Sequence, residues 1–149
     1  MSVEKINLVL DAINLYQTQY TQVDKLWGYF SVVSLAVVGF VVGREKVTQK
    51  FNESVIIIIA YMVFCYGNHL ALIEGQAQLQ QFYDIVVNLA VDTKLNVSTM
   101  EPFSTQDVKS FHLSVVGAIS IGILLVSWFR HKALNKKTSA DAALTTGSD

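Results

Sequence analysis

Three stretches of 18 to 20 residues contain no acidic residue, lysine or arginine, and they constrain the fold more than any other feature of the sequence. The middle stretch runs from Ser54 to Ile73, and the others occupy 26–43 and 110–129. At a helical rise of about 1.5 Å per residue, such a stretch crosses the roughly 30 Å hydrocarbon core of a bilayer. The sequence therefore predicts an all-α integral membrane protein with three transmembrane helices.

Composition supports a membrane protein and argues against some functions. Of 149 residues, 52% are hydrophobic and 15% are charged, whereas soluble domains average about 25% charged residues. A net charge of −1 leaves no global basic field, so we expect no nucleic acid partner. The first 24 residues lack the apolar core of a signal peptide, so membrane entry is expected to depend on the internal spans.

Two of the predicted spans continue as amphipathic helices beyond the bilayer. Apolar residues recur at spacings of three and four through 3–27 and 72–89, and the lone Gly75 is no helix breaker. Because the link between these spans is short, the spans should be antiparallel neighbours. We expect their outer arms to pair as an antiparallel, coiled-coil-like helical hairpin. The alternative is that either arm lies flat at the headgroups.

The distribution of cations predicts the orientation. Seven lysines and arginines lie in the link and the tail, against four on the opposite side, which also carries eight acids. Cytoplasmic loops are enriched in such cations, so we expect a cytoplasmic C-terminus and an external N-terminus, in a plasma or inner membrane. The predicted order is an outer arm (1–24), a first span (25–43), a cytoplasmic link (44–52), a second span (53–73), a second arm (74–97), a loop (98–109), a third span (110–129) and a basic, then disordered, cytoplasmic tail (130–149).

Small residues recur at four-residue spacing in all three spans. Such rows let helix backbones approach closely where lipid supplies no hydrophobic drive for association. We expect them to mediate helix packing, either within one chain or between copies. The residues are Gly39 and Gly43; Gly67, Ala71 and Gly75; and Ser114, Ala118 and Gly122.

Polar side chains within the spans form a second group of candidates. They usually face protein or water, because burying them in lipid is costly. One interpretation is a lumen or polar site; another is a metal or haem site that uses two imidazoles; a third is that the histidines only meet headgroups or backbone. No metal-ligand spacing is present, so no metal and no cofactor is predicted. The residues are Tyr61, Tyr66, Asn68, His69 and His112.

Catalytic chemistry has little support in the sequence. No Ser, Cys or Asp has a base at recognisable spacing, and the single Cys65 lies in an apolar run where a thiol is inert. We therefore predict a small non-enzymatic subunit without catalytic residues, which assembles with itself or with other membrane-protein subunits in the lipid bilayer. The alternatives are a homo-oligomeric channel lined by the polar face of the second span, and a haem- or metal-binding redox subunit.

Overall fold

The computed structural model of the protein describes residues 3–43, 51–91 and 95–146. It contains the helices α1 (Val3–Gly43), α2 (Phe51–Ala90) and α3 (Thr105–Thr146), with one 3₁₀ turn at Ser98–Met100. The predicted all-α class is confirmed, and all three helices are long and apolar enough to cross a membrane. Most of the predicted cytoplasmic link lies outside the described residues.

The helices are much longer than a bilayer requires. With 41, 40 and 42 residues, each extends about 60 Å, roughly twice the thickness of the hydrocarbon core. In the most apolar 18-residue windows of the three helices, only 17%, 22% and 22% of the residues are buried within the chain. A water-soluble protein rarely exposes so much contiguous apolar surface. These helices are therefore compatible with a membrane location.

The chain forms two compact units. Unit 1 consists of Met1–Ser31 and Tyr66–Leu113, and unit 2 consists of Val32–Cys65 and Ser114–Asp149.

Unit 1 has a core of side chains from α1 and α2. Ala12, Tyr16, Leu79 and Val86 form its buried cluster. Leu79 and Val86, together with Leu72, are at most 1% exposed, and their spacing of seven residues places all three on one helical face. The apolar stripe predicted along α2 is the face that α2 buries.

Unit 2 combines apolar packing with pairs of small hydroxyl groups. Ser34 Oγ lies 2.9 Å from the Tyr61 hydroxyl, and Ser127 Oγ lies 2.8 Å from Ser54 Oγ. The Arg130 guanidinium donates to the carbonyl oxygens of Val41 and Val42, at 2.7 and 3.0 Å. Carbonyls in the last turn of a helix have no partner within it, so Arg130 satisfies the C-terminal end of α1.

The third helix begins before the third predicted span. Ser104 Oγ accepts the Asp107 backbone N–H at 3.1 Å and donates to Asp107 Oδ2 at 2.7 Å. These bonds satisfy a donor of the first helical turn, as an N-cap does. Helix α3 therefore starts at Thr105, within the segment that was predicted to be a loop.

The third helix also ends later than predicted. The third predicted span ends at Phe129 and is followed by a basic, then disordered, tail, whereas the backbone remains helical to Thr146. Residues 130–146 contain no Pro or Gly and include four alanines and two leucines. These residues have high intrinsic helix propensity. The intrinsic propensity of these residues therefore favours continuation of the helix beyond the span.

Candidate functional site

Two histidines that are 43 residues apart in the sequence meet in unit 1. The Nδ1 atoms of His69 on α2 and His112 on α3 lie 3.3 Å apart. In such a hydrogen bond one Nδ1 carries the proton and the other accepts it. His112 is 1% exposed, and its ring contacts those of Trp27 and Phe30, with centroids 5.9 and 4.4 Å away. The two imidazoles therefore form a hydrogen-bonded pair, and the ring of His112 packs against the rings of Trp27 and Phe30.

The polar cluster around this pair is incompletely satisfied. The Asn68 side-chain amide donates to the Leu26 carbonyl at 3.1 Å. Its Oδ1 atom and the Nε2 atom of His112 are buried and have no hydrogen-bond partner among the described residues. Such an atom typically costs about 1–3 kcal/mol. Residues that only maintained the fold would be expected to avoid this cost, so the cluster is a candidate site.

The histidine pair meets only part of the requirement for a metal. At metal–nitrogen distances of about 2.0–2.1 Å, two nitrogens on a tetrahedral ion lie roughly 3.3–3.4 Å apart, and two on opposite sides of an iron lie about 4 Å apart. The observed separation fits the tetrahedral arrangement. However, within the described part of the chain no group of three or more His, Cys, Asp or Glu side chains could hold a metal. A tetrahedral ion here would need ligands from water or another subunit.

The other polar residues of the second span do not form one surface. Tyr61 is 2% exposed and bonded to Ser34 in unit 2, and Asn68 is buried in unit 1, whereas Tyr66 is 68% exposed. The hydroxyl of Tyr61 and the amide nitrogen of Asn68 thus bond within the chain.

The small-residue rows behave in two ways. At Gly75 in unit 1, an added Cβ would lie 3.1 Å from Cγ2 of Val23, so α1 and α2 approach closely there. At Gly39, Gly43, Gly67 and Gly122 an added Cβ would meet nothing within 4 Å. Ala71, Ser114 and Ala118 are exposed. Packing between copies at the open positions stays a prediction.

Unit 1 also contains a cavity of about 640 Å³ that the sequence did not indicate. We call it the Trp27 cavity. Its lining comes from α1, α2, residues 99–103 and the first turns of α3. Because these stretches are distant in the sequence and none has a recognisable motif, no local pattern could have revealed it.

Two buried side chains hold residues 99–103 against the helices. The Tyr16 hydroxyl donates to the Met100 carbonyl, and Gln76 Nε2 donates to the Phe103 carbonyl. Burial raises the pKa of the Tyr16 hydroxyl, and the neighbouring Tyr20 and Tyr83 add to the rise. The hydroxyl therefore keeps its proton, and remains a donor, at neutral pH.

No protein-family model, curated protein or solved structure matches this chain. A function is therefore inferred from the residues of the chain itself.

Proposed function

We propose that the protein is a small non-enzymatic membrane subunit that assembles with copies of itself or with other membrane proteins. The observation that carries this proposal is the open space at Gly39, Gly43 and Gly67. Small residues at this spacing allow close helix approach in a bilayer, yet no part of the described chain approaches these three. Helices of other subunits would fill the space.

Contacts in unit 1 support an antiparallel pairing of the outer arms. Gln19 Nε2 donates to the Gly75 carbonyl at 3.2 Å, and Asn68 donates to the Leu26 carbonyl. Residue numbers thus rise along α1 while they fall along α2. We propose that segments 3–24 and 74–91 extend outside the bilayer as a helical hairpin.

The hairpin would provide a second surface for assembly. On the arms, Leu8, Leu15, Ile85 and Val91 are between 47% and 73% exposed. Outside the bilayer such side chains would face water unless another subunit covers them. The excess of cations in the link and the tail supports an external location for this surface.

Particle mass tests the proposal directly. We expect the wild-type protein in detergent micelles to form particles that contain more than one 16.5 kDa chain, as measured by light scattering after the mass of bound detergent is subtracted. The double variant Gly39→Leu/Gly43→Leu should shift them towards the monomer, because leucine separates the packed helices. The control is Val38→Leu, an exposed position on another face of α1. A monomeric wild type, or an equal effect of the control, would rule out self-assembly through this row.

A metal-binding subunit is the second candidate, and the contact between His69 and His112 favours it. Purified protein should then contain stoichiometric metal that is lost in His112→Phe. Metal analysis and a visible absorption spectrum test this candidate.

A channel has weaker support, because Tyr61 and Asn68 form hydrogen bonds within the chain and are not free to line a lumen. Conductance in liposomes that is lost on Asn68→Leu would support the channel.

A further inference from the structure

The Trp27 cavity has the size of a small-molecule site and an unusual distribution of charge. Its volume of about 640 Å³ lies within the range of roughly 300–1,000 Å³ that is typical of ligand pockets. Asp24, Glu101 and Asp107 contribute carboxylates to the lining, which contains no lysine, arginine or histidine. Lys25 and Lys109 are adjacent in sequence to lining residues but do not line the cavity. The charge of the cavity therefore favours a cation.

Aromatic rings add a second preference for cations. Five of the lining residues are aromatic, namely Tyr16, Tyr20, Trp27, Phe103 and Phe111. The faces of such rings attract cations, with tryptophan the strongest, and groups of rings are the usual recognition element for quaternary ammonium compounds. A metal ion would instead require converging oxygen or nitrogen ligands. Aromatic faces with carboxylates suit an organic ammonium better.

The interior of the cavity suits the apolar part of such a ligand. Val23, Leu79 and Val108 are each at most 6% exposed and line the cavity. The wall formed by residues 99–103 is held by the bonds from Tyr16 and Gln76. The cavity is therefore formed without a ligand, as most small-molecule sites are.

We propose that the Trp27 cavity binds a quaternary ammonium group, with the carboxylates and aromatic rings around the cation and the alkyl part against the apolar interior. This group could come from a free small molecule or from a phosphatidylcholine headgroup. Trp27 lies at the outer end of the first predicted span, where an indole ring commonly meets headgroups. This proposal does not depend on subunit assembly, since every residue involved belongs to unit 1 of a single chain.

The test for a free ligand uses choline as the probe. A Trp128→Phe background leaves Trp27 as the only tryptophan, so its fluorescence reports on the cavity. In maltoside micelles, which contain no ammonium, choline should produce a saturable change that decreases with salt. The neutral isostere 3,3-dimethylbutanol should produce none. An equal response to both compounds would overturn the proposal.

Two double variants, each of which removes two negative charges, test whether choline binds in the cavity. Asp24→Asn/Glu101→Gln removes two cavity carboxylates that have no ion-pair partner among the described residues, and should weaken choline binding about tenfold. Asp11→Asn/Glu74→Gln removes two charges from exposed positions outside the cavity and should leave the affinity unchanged. Asp107 is left intact because it caps α3. Equal losses in both variants would show that choline responds only to net charge, and would contradict the proposal.

Lipid composition distinguishes the two sources. In phosphatidylcholine nanodiscs, a headgroup ligand should shift the Trp27 emission relative to phosphatidylglycerol nanodiscs and should compete with added choline. A free ligand should bind with similar affinity in both. The proposal fails if choline does not bind in micelles and Trp27 emission is the same in the two kinds of nanodisc.

Discussion

In unit 2, the buried hydroxyls of Ser34, Ser54 and Ser127 each lie within hydrogen-bond distance of another hydroxyl. In unit 1, the buried side chains of Asn68 and His112 each have one polar atom without a partner among the residues that the structure describes. The difference follows from the chemical groups. A serine hydroxyl can rotate and can also bond to its own helix, as Ser127 does with the Ile123 carbonyl at 2.9 Å. Amides and imidazoles present two polar atoms in fixed directions.

The two units differ in whether their buried polar groups mainly favour stability or leave atoms free for recognition of a ligand. The buried serines described in unit 2 are satisfied by short hydrogen bonds that suit an apolar environment. Unit 1 contains unsatisfied polar atoms beside the histidine pair and a cavity, and both unpartnered buried atoms and unfilled volume reduce stability. Ligand binding is therefore expected in unit 1 rather than in unit 2.

The largest change in stability is expected from replacing a glycine, because α1 and α2 approach closely at Gly75 in unit 1 but not at Gly39 in unit 2. Gly75→Leu forces a side chain against Val23 in unit 1, and overpacking of this kind typically costs about 1–3 kcal/mol. Gly39→Leu places the same side chain in open space in unit 2. The free energy of unfolding of the monomer should therefore fall in the first variant and not in the second. Unfolding by dodecyl sulfate, followed by circular dichroism, measures both.

The next effect concerns the end of α1 in unit 2. Arg130→Met removes two charge-assisted bonds to the Val41 and Val42 carbonyls and should destabilise the chain by about 1.5–3 kcal/mol. Lys132→Met removes a cation located 5.5 Å from the centre of the Trp128 ring. An exposed interaction of this kind is worth about 0.5–1 kcal/mol. If the two variants unfold alike, the carbonyl bonds do not stabilise unit 2.

A smaller effect is expected from the histidine pair, where one substitution should raise the free energy of unfolding. His112→Phe keeps an aromatic ring and removes the unsatisfied Nε2 atom, so the free energy of unfolding should rise by about 1 kcal/mol. His69→Phe leaves both nitrogens of His112 without a partner, and should lower it by a similar amount. The same unfolding assay measures both. A loss of stability in both variants would mean that the bond between the rings outweighs the cost of the unsatisfied atom.

The smallest effect at neutral pH concerns Tyr16. Its pKa is raised above the ordinary value of 10.0, so below that pH both the folded and the unfolded states hold the proton and stability is unaffected. As the pH rises above 10.0, the unfolded state loses the proton first, and the free energy of unfolding decreases. Tyr16→Phe should reduce this pH-dependent decrease. Unfolding titrations on either side of that pH provide the test, and an unchanged slope would contradict the assignment to Tyr16.

Regular periodicity made the helices predictable. The three-four stripe along α2 included Leu72, Leu79 and Val86, which are now buried in unit 1. The spacing of Ser104 and Asp107 is likewise that of a helix N-cap, and α3 starts directly after Ser104. Both signals depend only on neighbouring residues along one helix, so they require no knowledge of the tertiary fold.

The candidate site was only partly predictable. The positions of His69 and His112 near the ends of their spans suggested similar depth, but contact between them depends on how each helix is rotated. Gln76 is 3% exposed, and its amide donates to the Phe103 carbonyl. The path of residues 99–103 determines that bond, and no periodicity specifies the path.

The two bonds that hold residues 99–103 have a consequence for how this protein can diverge. Tyr16 and Gln76 donate to main-chain oxygens of Met100 and Phe103, and every amino acid provides such an oxygen. Side chains along this segment can therefore be exchanged during evolution while the path of its backbone is retained. Selectivity for a bound molecule could change without any redesign of the helices.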